Sequence, residues 1–270
     1  MILYKYLPLS WVEGESDAQK NLFQKRCQCI RDNKFWFSKP DRLNDPYDCR
    51  PFFSVSKNLR SIIAIFDGMT PEEVELVLEK FPGCATKDDV CKLFEKISNS
   101  ANTKAEVKDF LMRFLQSLGS GIVKAKIANV GVLSLTEDPK NIVMWAQYAN
   151  NHRGVCIEID IPANTRSLKK VAYTRLRPEF EVYEAMDEKH GRFFDLFYTK
   201  SMHWSSEVEW RMVARQGDEA KTISGAIVSK IIYGINASNE TKEKITGFVG
   251  QDIPVHQLTM KRNYGLDWDS

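Results

Sequence analysis

The stretch Ile142–Asp160, with the sequence IVMWAQYANNHRGVCIEID, places the strongest constraint on the fold. Its first half has apolar and aromatic residues at helical spacing, because Met144 and Trp145 are followed four residues later by Tyr148 and Ala149. This spacing predicts a short amphipathic helix with one apolar and aromatic stripe.

The second half of the stretch predicts a tight turn that leads into a buried strand. Asn150-Asn151-His152 is expected to end the helix, and Gly154 suits a position with positive φ. The β-branched run Val155–Asp160 then predicts a strand buried on both faces, and Val130–Leu135 predicts another strand upstream. Two interpretations stay open: a closely packed elbow without a ligand, or a pocket wall formed by Trp145, Tyr148 and His152.

The bulk composition gives no strong preference for a charged partner. The chain has 270 residues and a mass of 31.1 kDa, enough for one large domain or two small ones. A formal net charge of +2 gives no global electrostatic reason to expect nucleic acid or membrane as a partner. A local basic patch is still open, and Arg175–Arg177 with Lys169–Lys170 is the candidate.

The cysteines and the apolar segments indicate a cytoplasmic protein with reduced thiols. None of the six cysteines falls in a CxxC pair. The first residues, MILYKYLPLS, have too short an apolar run for a signal peptide and no small-residue cleavage site. No segment approaches the roughly 18 apolar residues that span a membrane. We therefore expect no membrane association, and the sequence leaves the oligomeric state open.

The order of strand and helix signals predicts an α+β fold with a mixed or antiparallel sheet. Residues 1–58 and 122–270 are expected to form the α+β core, with opening strands at Met1–Leu7 and Phe35–Ser38. Residues 59–121 are expected to form an all-helical insertion subdomain. The predicted helices are Leu59–Phe66, Pro71–Phe81, Asp88–Asn99 and Lys104–Leu118 in the insertion, and the acidic segment Glu179–His190 later in the chain.

A polar turn follows the second strand. Asn44-Asp45-Pro46 is strong turn chemistry, because Asn and Asp bond to their own backbone and Pro fixes φ. The surrounding segment Asp41–Cys49 concentrates polar acceptors, with Asp48 among them. It predicts either a tight loop that satisfies its own amides or a loop that orients a ligand or a catalytic group.

The segment His203–Arg215, HWSSEVEWRMVAR, predicts a strand with one charged face. Glu207, Glu209 and Arg211 alternate with apolar residues at period two, which places their side chains on the same face. Such a face is either a solvated edge or the polar floor of a site, and Trp204 just before it favours the floor.

Several common catalytic motifs are absent from the sequence. There is no GxxxxGK[ST] loop, no glycine-rich dinucleotide turn, no HExxH zinc motif and no GxSxG nucleophile turn. The aromatic and acidic side chains that remain suit a nucleotide or sugar ligand, since rings stack and a carboxylate holds a hydroxyl group. These side chains are Tyr4, Tyr6, Trp36, Trp145, Tyr148, Trp204, Asp48, Glu207 and Glu209.

Separated motifs carry a family resemblance. An opening L-Y-K-Y strand is followed by F-S-K-P-x-x-L-N-D-P-Y-D, by L-S-L with M-W-A-x-Y-A-x-x-H-x-G-V-x-I-E, and by W-x-x-E-x-E-W-R. In this order they resemble the domain-of-unknown-function family numbered 2971, from Leu3 to about Tyr233, with the helical insertion as the most divergent part. That family is largely uncharacterised, so the resemblance implies little about function.

A weaker analogy runs to the ADP-ribosyltransferase superfamily. Its members are similar in having a polar or aromatic residue on an opening strand, a Ser at a strand end in mid-chain, and a Glu on a late strand. In those enzymes the Glu grips the ribose and helps to ionise the nicotinamide–ribose bond of NAD. The opening strand here departs from the pattern, because it has no Arg or His to anchor NAD. The analogy assigns the roles to Lys5 or Tyr6, to Ser134 or Ser38, and to Glu209 or Glu207.

The leading hypothesis is a nucleotide-binding enzyme that takes NAD as its substrate and transfers or hydrolyses at the glycosidic bond. A toxin or phage-defence effector with a protein or nucleic-acid acceptor would act in this way. Its catalytic residues are Glu209 and Glu207, and Glu209→Gln is expected to abolish NAD consumption with the fold intact. The candidate binding residues are Tyr4, Lys5, Tyr6, Ser38, Asn44, Asp45, Asp48, Ser134, Trp145, Tyr148, His152, Trp204 and Arg211.

Two alternatives come from other functional classes. A metal-dependent nuclease or phosphodiesterase would hold Mg²⁺ with Asp45, Asp48, Glu207 and Glu209. A non-enzymatic ligand sensor would be favoured if Lys200 and Arg211 cover the two glutamates.

Overall fold

The computed structural model of the chain describes residues 1–54, 66–100, 105–181, 191–250 and 252–269. The chain divides into two compact units: the first comprises residues 1–43, 130–173 and 200–270, and the second comprises residues 44–129 and 174–199. The first unit contains a large mixed sheet with helices, so the predicted α+β class is confirmed.

The bounds of the regular elements are as follows. The helices are α1 (Asp17–Arg31), α2 (Pro71–Leu78), α3 (Lys87–Asn99), α4 (Ala105–Ile127), α5 (Ile142–Tyr148) and α6 (Asn239–Val249). The shorter strands are β2 (Lys34–Phe37), β3 (Phe52–Ser54), β6 (Leu168–Lys170), β7 (Ala172–Thr174), β8 (Glu179–Glu181), β9 (Thr199–Ser201), β11 (Glu219–Thr222) and β14 (Leu266–Trp268). The longer strands are β1 (Ile2–Leu7), β4 (Gly131–Thr136), β5 (Val155–Asp160), β10 (Glu209–Ala214), β12 (Ile227–Tyr233) and β13 (Val255–Met260).

The main sheet has the strand order β14-β13-β12-β5-β1-β4-β10-β6. Its neighbouring strands are antiparallel, except that β12 and β13 run parallel. The opening strand β1 lies between β5 and β4, and all six of its residues pair with β5. The first segment of the predicted core, residues 1–58, thus pairs with strands of its second segment, residues 122–270, inside one sheet.

Side chains alternate across the sheet and supply two separate cores. Leu3, Ile157 and Met212 belong to the larger core, which α1 and α6 cover with residues such as Phe23 and Ile245. The smaller core, on the opposite face, contains Tyr6, Trp145, Ala149, Cys156, Ile232, Leu258 and Leu266. Helix α5 belongs to this second face, and it positions the candidate site.

The predicted elbow is present, with one correction. The backbone of Asn150, Asn151 and His152 is left-handed, with φ of 47°, 52° and 65°, which ends α5 as expected. The prediction of a positive φ at Gly154 is wrong. This position needs glycine because an added Cβ would lie 2.3 Å from the carbonyl oxygen of Leu7 on β1.

The second unit contains α2, α3 and α4 and the parallel strand pair β3–β8. Helix α4 is longer than its predicted segment and continues to Ile127. The predicted acidic helix is wrong at its start, because Glu179–Glu181 is strand β8, which pairs with Phe52–Ser54. The rest of that segment, residues 182–190, and most of the helix predicted over Leu59–Phe66 lie outside the described residues.

The strand predicted over His203–Arg215 also needs correction. Met202–Glu207 is a 3-10 turn, and strand β10 begins only at Glu209. Ser201 caps the turn by accepting a hydrogen bond from the backbone N–H of His203. The predicted alternation therefore holds from Glu209 onward, and Glu207 reaches the same cluster from a different backbone conformation.

Candidate functional site

A row of polar residues crosses the main sheet on the face of the smaller core. Tyr4 on β1 is in register with Glu158 on β5 and with Thr136 on β4, and Thr136 is in register with Glu209 on β10. Residues directly opposite one another on paired strands project from the same face. The row therefore brings residues from the start, middle and end of the chain to one surface.

Glu209 is held by two cations inside the protein. It is 3% exposed, and Arg211 is fully buried. Arg211 donates from Nε to Oε1 at 2.7 Å and from Nη2 to Oε2 at 3.1 Å, and Lys200 Nζ donates to Oε2 at 3.2 Å. The backbone N–H of Glu209 donates to the hydroxyl of Tyr173 at 2.8 Å. Both carboxylate oxygens of Glu209 are thus occupied by charge-assisted hydrogen bonds.

Glu207 shares Lys200 with Glu209 but has a more accessible second partner. Lys200 Nζ donates to Glu207 Oε2 at 2.6 Å, and the half-buried Tyr148 donates its hydroxyl to Oε1 at 2.6 Å. The Lys200 ammonium also lies 4.9 Å from the ring centre of Trp204. Lys200 therefore links the two glutamates, and together with Arg211 it covers their charges.

The residue between the two glutamates has a strained backbone. Val208 has φ of 46° and ψ of 51°, a left-handed conformation that is unusual for a β-branched residue. Such a conformation costs on the order of 1–3 kcal/mol. The structure tolerates this cost at the one position that turns Glu207 and Glu209 toward the same cation.

The cations hold the pKa of Glu209 far below its ordinary value. Burial by itself would raise the pKa, but Arg211 and Lys200 outweigh burial, and the pKa falls from 4.5 to about 2. Burial also opposes the charge of Lys200, yet the two glutamates raise its pKa. Glu209 and Lys200 are therefore charged across the physiological pH range.

This low pKa predicts a loss of stability in acid. The carboxyl group is ionised in both states above its unfolded pKa, so the full contribution, about 3 kcal/mol, is present at neutral pH. As the pH falls from about 4.5 toward 2, the unfolded state binds the proton first and the contribution is lost. Urea unfolding at a series of pH values measures this loss. Glu209→Gln should show a shallower fall over the same range, and an identical fall would contradict the prediction.

Lys5 on β1 and Ser134 on β4 also belong to the charge cluster around Glu207 and Glu209. Lys5 Nζ donates to the carbonyl oxygen of Ser134 at 2.8 Å, and the side chain of Ser134 is near enough to Glu209 to help lower the pKa of that carboxyl group. Loss of solvent lowers the pKa of Lys5, although Glu209 and Glu207 act to raise it. Lys5 and Ser134 are both half-buried, as are Tyr148 and Trp204 beside Glu207 and Lys200.

Three of the aromatic candidates support the fold around the site. Trp145 is fully buried, donates from Nε1 to the carbonyl of Pro139 at 2.8 Å, and packs edge-on against Tyr6 at 5.1 Å between ring centres. The Tyr6 hydroxyl donates to the carbonyl of Asp138 at 2.7 Å. His152 stacks on Trp145, and burial lowers its pKa. These rings hold the elbow together, and Trp145 has no exposed face to offer a ligand.

The other candidates have partners outside the pairs formed by Glu207, Glu209, Lys200 and Arg211. Tyr4 donates to Glu158 Oε2 at 3.1 Å on the same sheet face. Ser38 forms an isolated bridge with Val132. Asn44, Asp45 and Asp48 belong to the second unit, where Asp45 Oδ1 accepts from the N–H of Tyr47 at 2.9 Å. This hydrogen bond supports the interpretation of the turn as a tight loop that satisfies its own backbone amides.

A family comparison covers part of this site. Residues 144–212 match the family model described as Protein of unknown function (DUF2971). The match confirms the resemblance. No curated protein and no solved structure gives a match to the chain, and among the described residues no helix has the length and apolar character needed to cross a membrane.

The DUF2971 segment begins on α5 and ends on β10, so it contains one side of the charge cluster. Tyr148, Lys200, Glu207, Glu209 and Arg211 all lie within it. Its partners on the opening strand and on β4 lie outside the matched residues: these are Tyr4, Lys5, Ser134 and Thr136.

Sequence reasoning missed two residues of the cluster, Thr136 and Tyr173, and it gives Lys200 only the role of a covering charge, although Lys200 joins both glutamates. Thr136 is buried and donates to the carbonyl of Glu207 at 2.6 Å, and Tyr173 accepts from the N–H of Glu209. Lys200, Thr136 and Tyr173 lie on β9, β4 and β7, so none of them shares a strand with Glu209 on β10. Only the register of β4 with β10, which pairs Thr136 with Glu209, reveals the position of Thr136.

Proposed function

We propose that the first unit binds NAD and acts at its glycosidic bond. One observation carries the proposal: the three roles that the ADP-ribosyltransferase analogy assigns to distant residues meet on adjacent strands. Lys5 Nζ on β1 donates to the backbone carbonyl of Ser134 on β4, and the side chain of Ser134 helps to lower the pKa of Glu209 on β10. Lys200 joins Glu209 to Glu207, so both candidate glutamates belong to this cluster. Of the alternatives that the sequence left open, these contacts favour Lys5 over Tyr6 and Ser134 over Ser38.

The charges of the cluster support an anionic ligand. Lys5, Lys200 and Arg211 bring three cations to two carboxylates, which leaves one positive charge in excess while Lys5 is protonated. A pyrophosphate next to the half-buried Lys5 would neutralise this excess. The half-buried rings of Tyr148 and Trp204 supply surface against which a base or a nicotinamide ring can stack.

The contacts assign different roles to the two glutamates. Both oxygens of Glu209 are committed to Arg211 and Lys200, so Glu209 acts as a positioning residue that fixes the cations. Oε1 of Glu207 is held by the hydroxyl of Tyr148, which a ribose hydroxyl can replace with a hydrogen bond of the same kind. Glu207 is therefore the carboxylate proposed to grip the ribose and to stabilise the cation that develops at its anomeric carbon.

The test is NAD binding and nicotinamide release by the full chain, measured by calorimetry and by chromatography. In Glu207→Gln, nicotinamide release should fall at least about 100-fold. The Kd for NAD should change only a few fold. Glu219→Gln removes the same charge from a half-buried position on β11 and should leave both quantities unchanged.

The outcomes separate the possible roles of the site. Unchanged release in Glu207→Gln would remove Glu207 from the chemistry, and failure of the wild-type chain to bind NAD would overturn the nucleotide assignment. Urea midpoints of each variant, measured beside the assays, show that a loss of release is not a loss of folded protein.

A second candidate function is a ligand-binding module without turnover. It is favoured by the pairing of both glutamates with Lys200 and Arg211, because cations that are already satisfied suit a stable binding surface. NAD binding without nicotinamide release would support it. The metal-dependent alternative draws on two different units, with Asp45 and Asp48 in the second and the paired glutamates in the first, and it gains no support from these contacts.

We propose further that the ADP-ribose group is transferred to a protein or a nucleic acid, as in a toxin or phage-defence effector. A labelled adenine moiety that becomes covalently attached to protein or RNA in a lysate would identify the acceptor class.

A further inference from the structure

The second unit carries a cluster of arginines at the start of its parallel strand pair. Phe52 on β3 is in register with Glu179 on β8, and the N–H of Phe52 donates to the carbonyl of Pro178 at 2.8 Å. Arg50 and Arg177 each lie two residues before this pair. The register therefore places them beside each other, and Arg177 Nε donates to the backbone carbonyl of Arg50.

An exposed aromatic ring completes this surface. The guanidinium of Arg177 lies 5.5 Å from the ring centre of Tyr47, and the side chain of Tyr47 is 63% exposed. Arg175 is exposed in the adjacent turn, where Leu176 is 83% exposed. We call Tyr47, Arg50, Arg175, Leu176 and Arg177 the arginine patch.

The three guanidinium groups of the arginine patch have no ion-pair partner among the described residues. Arg31, Arg42 and Arg113, by contrast, lie 2.9–3.0 Å from carboxylates. The nearest acids in sequence do not neutralise the patch: Asp45 and Asp48 are buried, and Glu179 is exposed and forms no ion pair with any residue that the structure describes. Three exposed positive charges beside an exposed ring are left for an external partner.

We propose that the arginine patch binds single-stranded nucleic acid, with the arginines on phosphates and Tyr47 stacked against a base. Guanidinium groups bind phosphate oxygens with two parallel hydrogen bonds, and an exposed tyrosine ring stacks on any base. An acidic peptide would use the charges but not the ring. A duplex would offer phosphates but keep its bases stacked inside. This inference is independent of the proposed NAD chemistry.

The experiment measures the fluorescence anisotropy of a labelled oligo(dT) of about 16 nucleotides with the full chain. The affinity should fall as salt rises, and the slope of log K against log salt should be about −2 for three phosphate contacts on a single strand. Arg50→Gln/Arg175→Gln/Arg177→Gln should weaken binding at least about tenfold and flatten the salt slope. Tyr47→Ser should weaken binding by about tenfold with the slope retained.

A matched control removes the same charge elsewhere in the second unit. Lys80, Lys92 and Lys124 are exposed, and their replacement with glutamine should leave binding within about twofold of the wild type. Equal loss in this control would show that net charge, not the patch, attracts the strand. Absence of wild-type binding, or displacement of the oligonucleotide by polyglutamate as readily as by unlabelled oligo(dT), would also overturn the proposal.

Discussion

Replacing Glu209 with glutamine should lower the free energy of unfolding by about 3–5 kcal/mol. The substitution leaves Arg211, which is fully buried, and Lys200 without the carboxylate that both contact. A buried cation without a counter-charge is far more costly than the same cation on the surface. The sequence alone predicts that Glu209→Gln leaves the fold intact, whereas these contacts predict a large loss of stability, and urea unfolding at neutral pH distinguishes the two expectations.

A matched variant makes this result specific. Glu219 bonds to Lys221 on strand β11, where both side chains are partly exposed, and Glu219→Gln should cost less than about 1 kcal/mol. Exchanging the Glu209–Arg211 pair for Met and Leu in one chain should recover much of the lost stability, because both charges are then removed together. A cost below about 1 kcal/mol for Glu209→Gln would show that water replaces the carboxylate and that the cluster is open.

Gly234→Ala should destabilise the first unit by roughly 3 kcal/mol. An added Cβ would lie 2.2 Å from the carbonyl oxygen of His152 and 2.9 Å from the ring of Trp145. The backbone cannot yield easily there, because the N–H of Gly234 donates to the carbonyl of Gly154 and the N–H of Asn236 donates to that of His152, both at 3.0 Å. Thermal and urea unfolding give the measurement.

The opposite sign is expected for Gly247→Ala on α6. An added Cβ at Gly247 meets nothing within 4 Å, and alanine in a helix is more stable than glycine by about 0.5–1 kcal/mol. The two substitutions add the same methyl group, so their difference isolates the close packing at the elbow. If Gly234→Ala cost no more than about 1 kcal/mol, the loop after β12 would be free to move away from α5.

Elements that carry their own local signals could be predicted from the sequence. Helix α1 starts at Ser16, whose side chain caps the helix while Gln19 bonds back to the backbone of Ser16. Strand β5 is a β-branched run, and its burial follows from that run alone. The predictions for Glu179–Glu181 and Met202–Glu207 are wrong because the conformation there depends on pairing with Phe52–Ser54 and on one left-handed residue, Val208. The prediction for Gly154 is wrong because its close approach to Leu7, and not a positive φ, requires glycine.

The residue types of the candidate site could be predicted, but their pairing could not. Period two in sequence indicates that Glu209 and Arg211 share a strand face, and the structure adds that they bond to each other. The contribution of Lys200 depends on where the chain re-enters the first unit after residues 174–199, which no local spacing encodes. The same holds for Lys5 and Ser134, whose contact exists only because β1 lies beside β4.

The position of β1 inside the sheet has a consequence for synthesis. Tyr4 pairs with Thr136 and with Glu158, so neither neighbour of the first strand exists when that strand leaves the ribosome. At roughly 5–20 residues per second, β1 waits on the order of 10 s for its partners. During that time it is an unpaired apolar edge of the kind that aggregates. The slow step in forming the candidate site is therefore the closure of two long loops, and we expect β1 to remain unpaired until β4 and β5 have been synthesised.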